Sequence, residues 1–370
     1  MSGPKKFKAK PHATLGVPPL SSALHTKICD LLGIRYPIIQ TGMGWVATPE
    51  LAAAASNAGA IGFLAAATIP PPEVEAEILR VKELTDKPFG VNFLMDAPGA
   101  DVISEAIIRQ GVKAAGYNRA PSADLINKLK DAGVVCVPTT GAVKHVQKAE
   151  QLGADIIIVQ GGEGGGHTGP VPTSILLPAS AAAVDVPVVG AGGFKDGRGL
   201  VAALAYGAAG IAMGTRFVLT KESPVPKAST DRFLAANVAD VVVTSQIDGM
   251  PQRVVMNELV KRLESSSAPE RLLLAIRNGL EFRKTSGASI ADLASSALKM
   301  RSNQRLTNAQ TMMAANAPML AKKGMEEGDP VNGYLPGGSI AGVIDDIPSC
   351  EELVQQIMSE AEATIKALSN

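Results

Sequence analysis

The sequence predicts an α/β protein: a (β/α)8 TIM barrel carrying an inserted, mostly α-helical subdomain. Three observations point there. Eight short apolar runs alternate with helix-like stretches between residues 36 and 213, as βα units around a parallel sheet do. Three of those runs end in glycine-rich turns: Val159–Gly169 (VQGGEGGGHTG), Val186–Phe194 (VPVVGAGGF) and Gly210–Phe217 (GIAMGTRF). At 370 residues, with 46% hydrophobic residues and 37 glycines, the chain can bury a large core and make many tight strand-to-helix turns.

Residues 1–22 are Pro- and Lys-rich without periodicity and are expected to form a flexible N-terminal arm. The first strand is Tyr36–Gln40, ending in Thr41-Gly42-Met43-Gly44-Trp45; the Ala-rich helix Pro49–Ala58 follows and Gly59 stops it. Strand two is Ala60–Ala66, then helix Pro72–Leu84, with proline near its start where a missing N–H is harmless. Strand three is Phe89–Leu94. Strand four is Val112–Ala115, leading through Gly116-Tyr117-Asn118 to a helix Ser122–Ala132 capped by Ser122. Strand five is Val134–Pro138, with a helix over about Ala142–Leu152. Strand six is Asp155–Val159, where four β-branched residues in a row suit a strand packed on both faces. Strands seven and eight are Val186–Ala191 and Ala209–Met213, flanking helix Gly199–Tyr206.

The barrel therefore takes residues 23–223 and 329–370, and residues 224–328 form the accessory subdomain. Its expected helices are Asp231–Asn237, Asn257–Ser265, Arg271–Lys284, Ile290–Lys299 and Asn308–Lys322, with a strand-like excursion Val241–Ile247 before Asp248-Gly249. A final amphipathic helix, Cys350–Leu368, packs back on the barrel.

Composition excludes several roles. Basic and acidic residues balance at 35 each, which argues against nucleic acid or an anionic membrane as partner. Cys29, Cys136 and Cys350 lie far apart and read as unpaired thiols. Neither a membrane-spanning run nor a secretory signal is evident, so a cytoplasmic location is expected. A nucleophile elbow, a Walker motif and a metal-ligand cluster are all missing from the sequence, and no metal is expected. Asp345-Asp346 reads as an exposed loop rather than a catalytic pair.

Barrel sites lie at the C-terminal ends of the strands, with phosphate held over the last two loops. Here those loops are Gly192-Gly193-Phe194 and Met213-Gly214-Thr215; the first runs through Asp196 into a helix whose N-terminus favours an anion. Gly164–Gly169 matches GxGxxG, but Pro170 and Pro172 follow at once, so a dinucleotide fingerprint is rejected in favour of backbone skimming a flat ligand. His167 lies in that loop and is the candidate acid/base; His12, His25 and His145 have no such setting. Met43 and Trp45 could cover a planar ring. Asn92, inside a strand, needs hydrogen-bond partners, and Tyr117 and Asn118 could line the substrate side.

These residues resemble the nitronate monooxygenase (2-nitropropane dioxygenase) family of FMN-dependent barrels, from about Leu31 to the C-terminus. The resemblance implies that Gly42, Met43 and Asn92 contact the isoalloxazine of FMN, and that Gln160, Gly165 and Gly166 lie along the flavin and its ribityl chain. It implies phosphate binding by Gly192, Gly193, Gly214 and Thr215, with His167 as catalytic base. Nitronate-oxidising members usually carry Pro-Met in the first loop and Glu-Ala-Gly-Gly-His in the sixth; this chain has Gly42-Met43 and Glu163-Gly164. Its Thr41–Ala47, Asp248-Gly249-Met250-Pro251 and Ala314-Ala315-Asn316 segments look more like an actinobacterial subgroup, flavin reductases of a bicyclic acyl-CoA in late steroid-ring degradation. The leading implied activity is oxidation of alkyl nitronates with O2 through reduced flavin. The alternative is NADH- or NADPH-dependent reduction of an acyl-CoA, an enoyl thioester or a quinone. A homodimer is compatible with either. An IMP-dehydrogenase-like reading fails because no cysteine lies in the sixth-strand loop, and a non-catalytic flavin-binding module would have no need of His167.

Overall fold

The computed structural model describes residues 22–118, 122–266 and 308–370, without the side chains of 22 and 308–315; the arm before residue 22 and the expected helices Arg271–Lys284 and Ile290–Lys299 lie outside them. Strands β1 (Ile38–Gln40), β2 (Ile61–Ala65), β3 (Gly90–Leu94), β4 (Ala114–Asn118), β5 (Val135–Thr140) and β6 (Ile157–Gln160) run in order around a parallel barrel. A two-residue strand, β7 (Gly166–His167), stands outside it, and β8 (Val188–Ala191) and β9 (Ile211–Met213) complete it. Closure is direct: Ile39 on β1 pairs with Ile61 on one side and Ala212 on the other.

Each expected barrel strand is present. β4 differs most, because it continues through Gly116-Tyr117-Asn118 rather than stopping at Ala115. Strand alternation then decides where those side chains go. Ser122 caps its helix as expected, accepting from the Leu125 amide.

Helix Lys27–Leu32, not anticipated from the sequence, buries Ile28, Cys29 and Leu32 in one cluster with inward residues Ile39, Ile61, Ile158 and Val189. Its Thr26 hydroxyl bonds the Ala209 carbonyl just before β9, so this helix plugs the N-terminal end of the barrel. The opposite end stays open for ligands.

The C-terminal helix Cys350–Leu368 buries Leu353, Val354, Ile357 and Ala361 in the cluster that also holds Leu200 and Ala203 of helix Gly197–Ala205. Gly197 makes that approach possible, since a Cβ there would sit 2.3 Å from the Ala361 nitrogen and the Ile357 carbonyl oxygen. Among the described residues, no helix is long and apolar enough to cross a membrane.

The accessory region contains helices Lys227–Ala235, Glu258–Ser265 and Asn308–Met325, and also a sheet. The strand-like excursion is one arm of an antiparallel hairpin, β10 (Val241–Thr244) and β11 (Gln252–Val255), and β11 pairs further with β12 (Leu335–Pro336). It also pairs with β7, Gln252 opposite His167 and Arg253 opposite Gly166. The sixth barrel loop is thus sewn into the accessory sheet. Behind that sheet, Val254, Leu259, Leu263, Leu320 and Tyr334 share a small core against which Trp45 packs.

Candidate active site

The open end of the barrel holds a cavity of about 390 Å³, within the usual range for a cofactor site. Phe63, Asn92, Val137 and Ile158, inward residues of four strands, form its floor, and loops after β1, β6, β8 and β9 form its rim. Met325 and Ala321 of the accessory region, with Tyr334 just beyond its expected boundary, close one side.

Glycine in the rim is dictated by contact. A Cβ on Gly42 would lie 2.4 Å from Asn92 Cβ, and one on Gly164 would lie 2.6 Å from Gln160 Cγ. These are the two positions where Pro and Ala of the nitronate pattern are replaced. A Cβ on Gly165 would meet the Gly338 amide nitrogen at 2.6 Å, and one on Gly192 the Gly164 nitrogen at 3.0 Å. Gly192 and Gly193 adopt φ of +98° and +84°, which side chains resist. Gln160 ties the sixth loop from within, donating to the His167 carbonyl at 2.9 Å. Arg253 braces it from outside, donating Nε–H to the Gly162 carbonyl at 2.9 Å.

The loops of Gly192–Gly193, Gly214–Thr215 and Gly338 converge around the proposed phosphate position; the Thr215 hydroxyl accepts from the Gly338 amide at 2.9 Å and keeps its own proton to donate. Among the described lining residues there is no lysine or arginine, so an anion there must rely on backbone amides and that hydroxyl. One expected contributor is unavailable. The N-terminus of helix Gly197–Ala205 is closed by its own Asp196, which accepts from the Gly199 amide at 3.0 Å, and by Glu360, which accepts from the Gly197 amide at 3.0 Å. Glu163 likewise serves structure: its carboxylate accepts from the Thr173 amide and hydroxyl at 2.9 and 2.7 Å, capping helix Thr173–Ala181.

His167 lines the cavity, half exposed, and its Nε2 lies 2.7 Å from Asp248 Oδ2. Asp248 stands in the β10–β11 turn, where its Oδ1 accepts from the Met250 amide at 3.0 Å. Burial alone would raise its carboxyl pKa, but hydrogen bonds from His167, Gln252 and the Met250 amide outweigh that and hold it below the ordinary value of 3.8. The bonded carboxylate is therefore stabilising above 3.8 and loses that contribution only as pH falls through the depressed folded value. Tyr334 is shifted the other way, its phenol pushed up by burial and by the Asp248 charge.

Gly42, Met43, Trp45, Asn92, Asn118, Gln160, Gly165, Gly166, His167, Gly192, Gly193, Gly214 and Thr215 are thus brought to one cavity. Tyr117 is not. Alternation along β4 turns Gly116 and Asn118 inward and Tyr117 outward, where it is buried with Phe93, Ile103, Ile107 and Ile126. The substrate assignment for Tyr117 is corrected accordingly. Trp45 holds φ of +60°, the sole non-glycine in that region among the described residues, a strained conformation of order 1–3 kcal/mol. Asn118 Oδ1 is buried with no protein partner among the described residues, an acceptor that a ligand donor would satisfy. Sequence reading missed Asp248 as the partner of His167, and with it Gln252, Tyr334 and Gly338. Only the Asp248-Gly249 turn signal hinted at the first.

Flat backbone rims, a mostly apolar floor, a cradle of backbone amides and a hydroxyl, and a half-exposed histidine bonded to a carboxylate fit a flavin. This is the architecture of a barrel oxidoreductase. The chain belongs to the nitronate monooxygenase family, whose model matches residues 25–118 and 105–360, and the family implies a flavoprotein. It is 49% identical over 347 residues to a Rhodococcus jostii (strain RHA1) protein named (3aS,4S,5R,7aS)-5-hydroxy-7a-methyl-1-oxo-octahydro-1H-indene-4-carboxyl-CoA dehydrogenase, covering 94% of this chain and 98% of that one. A probable nitronate monooxygenase of Staphylococcus saprophyticus is 32% identical over 287 residues, 65% of this chain and 81% of the relative. Among solved structures, FabK from Thermotoga maritima superimposes with a TM-score of 0.75 at 30% identity, covering 93% of this chain and 98% of that one.

Proposed function

We propose that this protein is an FMN-dependent oxidoreductase of a bulky alicyclic acyl-CoA thioester, with His167 exchanging the proton that accompanies the redox step. The observation that carries this reading is 49% identity, across nearly all of both chains, with a relative whose name specifies a bicyclic hydroxyacyl-CoA. The site supports it. Gly42 and Gly164, packed against Asn92 and Gln160, depart from the nitronate-oxidising pattern at two contacts that a Cβ would break.

Bound FMN supplies the two-electron redox partner. Gly192, Gly193, Gly214 and Thr215 would hold its phosphate through amides and a hydroxyl; Gly42, Met43 and Asn92 would meet its ring, and Gln160 with Gly165–Gly166 would follow the ribityl chain. Trp45 and the accessory wall of Tyr334, Met325 and Ala321 exclude water and shape the substrate side. His167 takes the proton released at the oxidised centre and returns it in the reductive direction, for which NADH or NADPH is the proposed electron donor.

A second reading, oxidation of alkyl nitronates with oxygen, is favoured by the family model and by the Staphylococcus relative. Steady-state turnover separates the two. The proposal expects kcat/KM for a bicyclic hydroxyacyl-CoA with a dye acceptor to exceed that for an alkyl nitronate with oxygen by about 100-fold or more, the discrimination that a pocket built to pair with a polar substrate can reach. Equal or reversed preference would favour the nitronate reading.

A further inference from the structure

We propose that Asp248 is a positioning residue for His167: it fixes the Nε2–H tautomer and leaves Nδ1 as the basic nitrogen, so the acid/base group is a dyad assembled across the barrel and the accessory sheet. This rests on the reading that His167 carries the proton.

Backbone pairing sets the position of the two side chains. β7 carries His167 and pairs with β11 in a fixed register, His167 opposite Gln252. The Thr168 amide extends the pairing to the Pro251 carbonyl at 3.2 Å. The turn between β10 and β11 then folds over the histidine, closed by the Gly249 amide on the Ser245 carbonyl at 3.1 Å with Gly249 at φ +86°. That turn brings Asp248 Oδ2 to 2.7 Å from His167 Nε2. Oδ1 is held by the Met250 amide at 3.0 Å.

An ionised carboxylate only accepts hydrogen bonds, so the proton between the two groups belongs to Nε2. The other ring nitrogen, Nδ1, makes no hydrogen bond among the described residues, on a ring that lines the cavity. Which nitrogen acts is thus set by the bond the other one makes. The same carboxylate stabilises the imidazolium once Nδ1 has taken a proton.

The geometry also predicts what an amide would do. In Asp248→Asn the Met250 N–H still requires an acceptor, which places the Asn carbonyl oxygen at the Oδ1 position and its NH2 against Nε2. An NH2 donor forces Nε2 to be the unprotonated nitrogen, so the tautomer inverts although the hydrogen bond survives. A residue that merely stapled the hairpin would survive this change unaltered.

The test is 15N NMR of the flavin-loaded protein labelled at its four histidines, with His167 assigned by its loss in His167→Asn. Wild type should show the Nε2–H tautomer for His167, and Asp248→Asn the Nδ1–H tautomer. In the same variant turnover should fall by at least about tenfold with KM and flavin content little changed. Asp248→Glu should keep the wild-type tautomer and recover part of the rate. A native tautomer in Asp248→Asn, or full turnover despite inversion, would overturn the assignment. The tautomer is read without substrate, so it stands or falls apart from the choice between acyl-CoA and nitronate.

Discussion

At Gly193 a single residue combines two demands: its φ of +84° lies where side chains are strained, and its amide belongs to the proposed phosphate cradle. Gly193→Val should therefore purify without flavin colour. Because backbone strain alone could cause that, Thr215→Val is the paired variant. It removes only the hydroxyl that accepts from Gly338, and it should weaken FMN binding roughly 10-fold, the loss of one hydrogen bond to a charged group. Retention of full flavin in both variants would contradict the cradle. At this scale the sequence was informative where chemistry and spacing coincide, as in the glycines of three strand-end loops and in His167. It did not pair Asp248 with His167, 81 residues away in the chain, because only the β7–β11 pairing makes the two neighbours. Tyr117 shows a different limit: one strand boundary drawn two or three residues early moved an outward side chain into the cavity, since strand side chains alternate faces.

Away from the site, the C-terminal helix and its packing against helix Gly197–Ala205 make stability contributions that can be measured. The C-terminal helix starts with a capping box, Ser349 accepting from the Glu352 amide while Glu352 accepts from the Ser349 amide. Ser349→Ala should lower unfolding free energy by about 1 kcal/mol. Gly197→Ala should be worse, about 1–3 kcal/mol, because its Cβ would strike the backbone of the same helix. Denaturant unfolding measures both, and an unaffected Gly197→Ala would show that the helix pair is looser than its backbone contact implies. Helices with clear caps and amphipathic faces were legible in the sequence, notably Ser122's helix and Cys350–Leu368. Thr173–Ala181 was not, because Pro178 lies inside it, Pro170 and Pro172 precede it, and its cap is a Glu163 carboxylate reaching in from the loop before it. Ala100–Arg109 was missed as well; it begins at a left-handed Gly99 rather than at a Ser, Thr, Asp or Asn.

For the whole molecule, a parallel barrel is legible because its strands are mostly buried and begin as apolar runs, whereas a sheet assembled from far-apart segments carries no such mark. The accessory sheet draws β7, β10, β11 and β12 from segments spread between residues 166 and 336, and its shortest strands have two residues each. That sheet is what joins His167 to the accessory wall of the cavity. On the proposed function, this mouth holds FMN, a bicyclic hydroxyacyl-CoA exchanges electrons with it, and His167 moves the proton. The most direct measurement is anaerobic addition of such a thioester to the purified protein while following the visible flavin band, in wild type and in His167→Ala. Bleaching is expected in wild type, slowed by about 10²–10⁴-fold in His167→Ala with the flavin still bound. A band that ignores the thioester but bleaches with an alkyl nitronate, or a protein with no affinity for FMN, would contradict it.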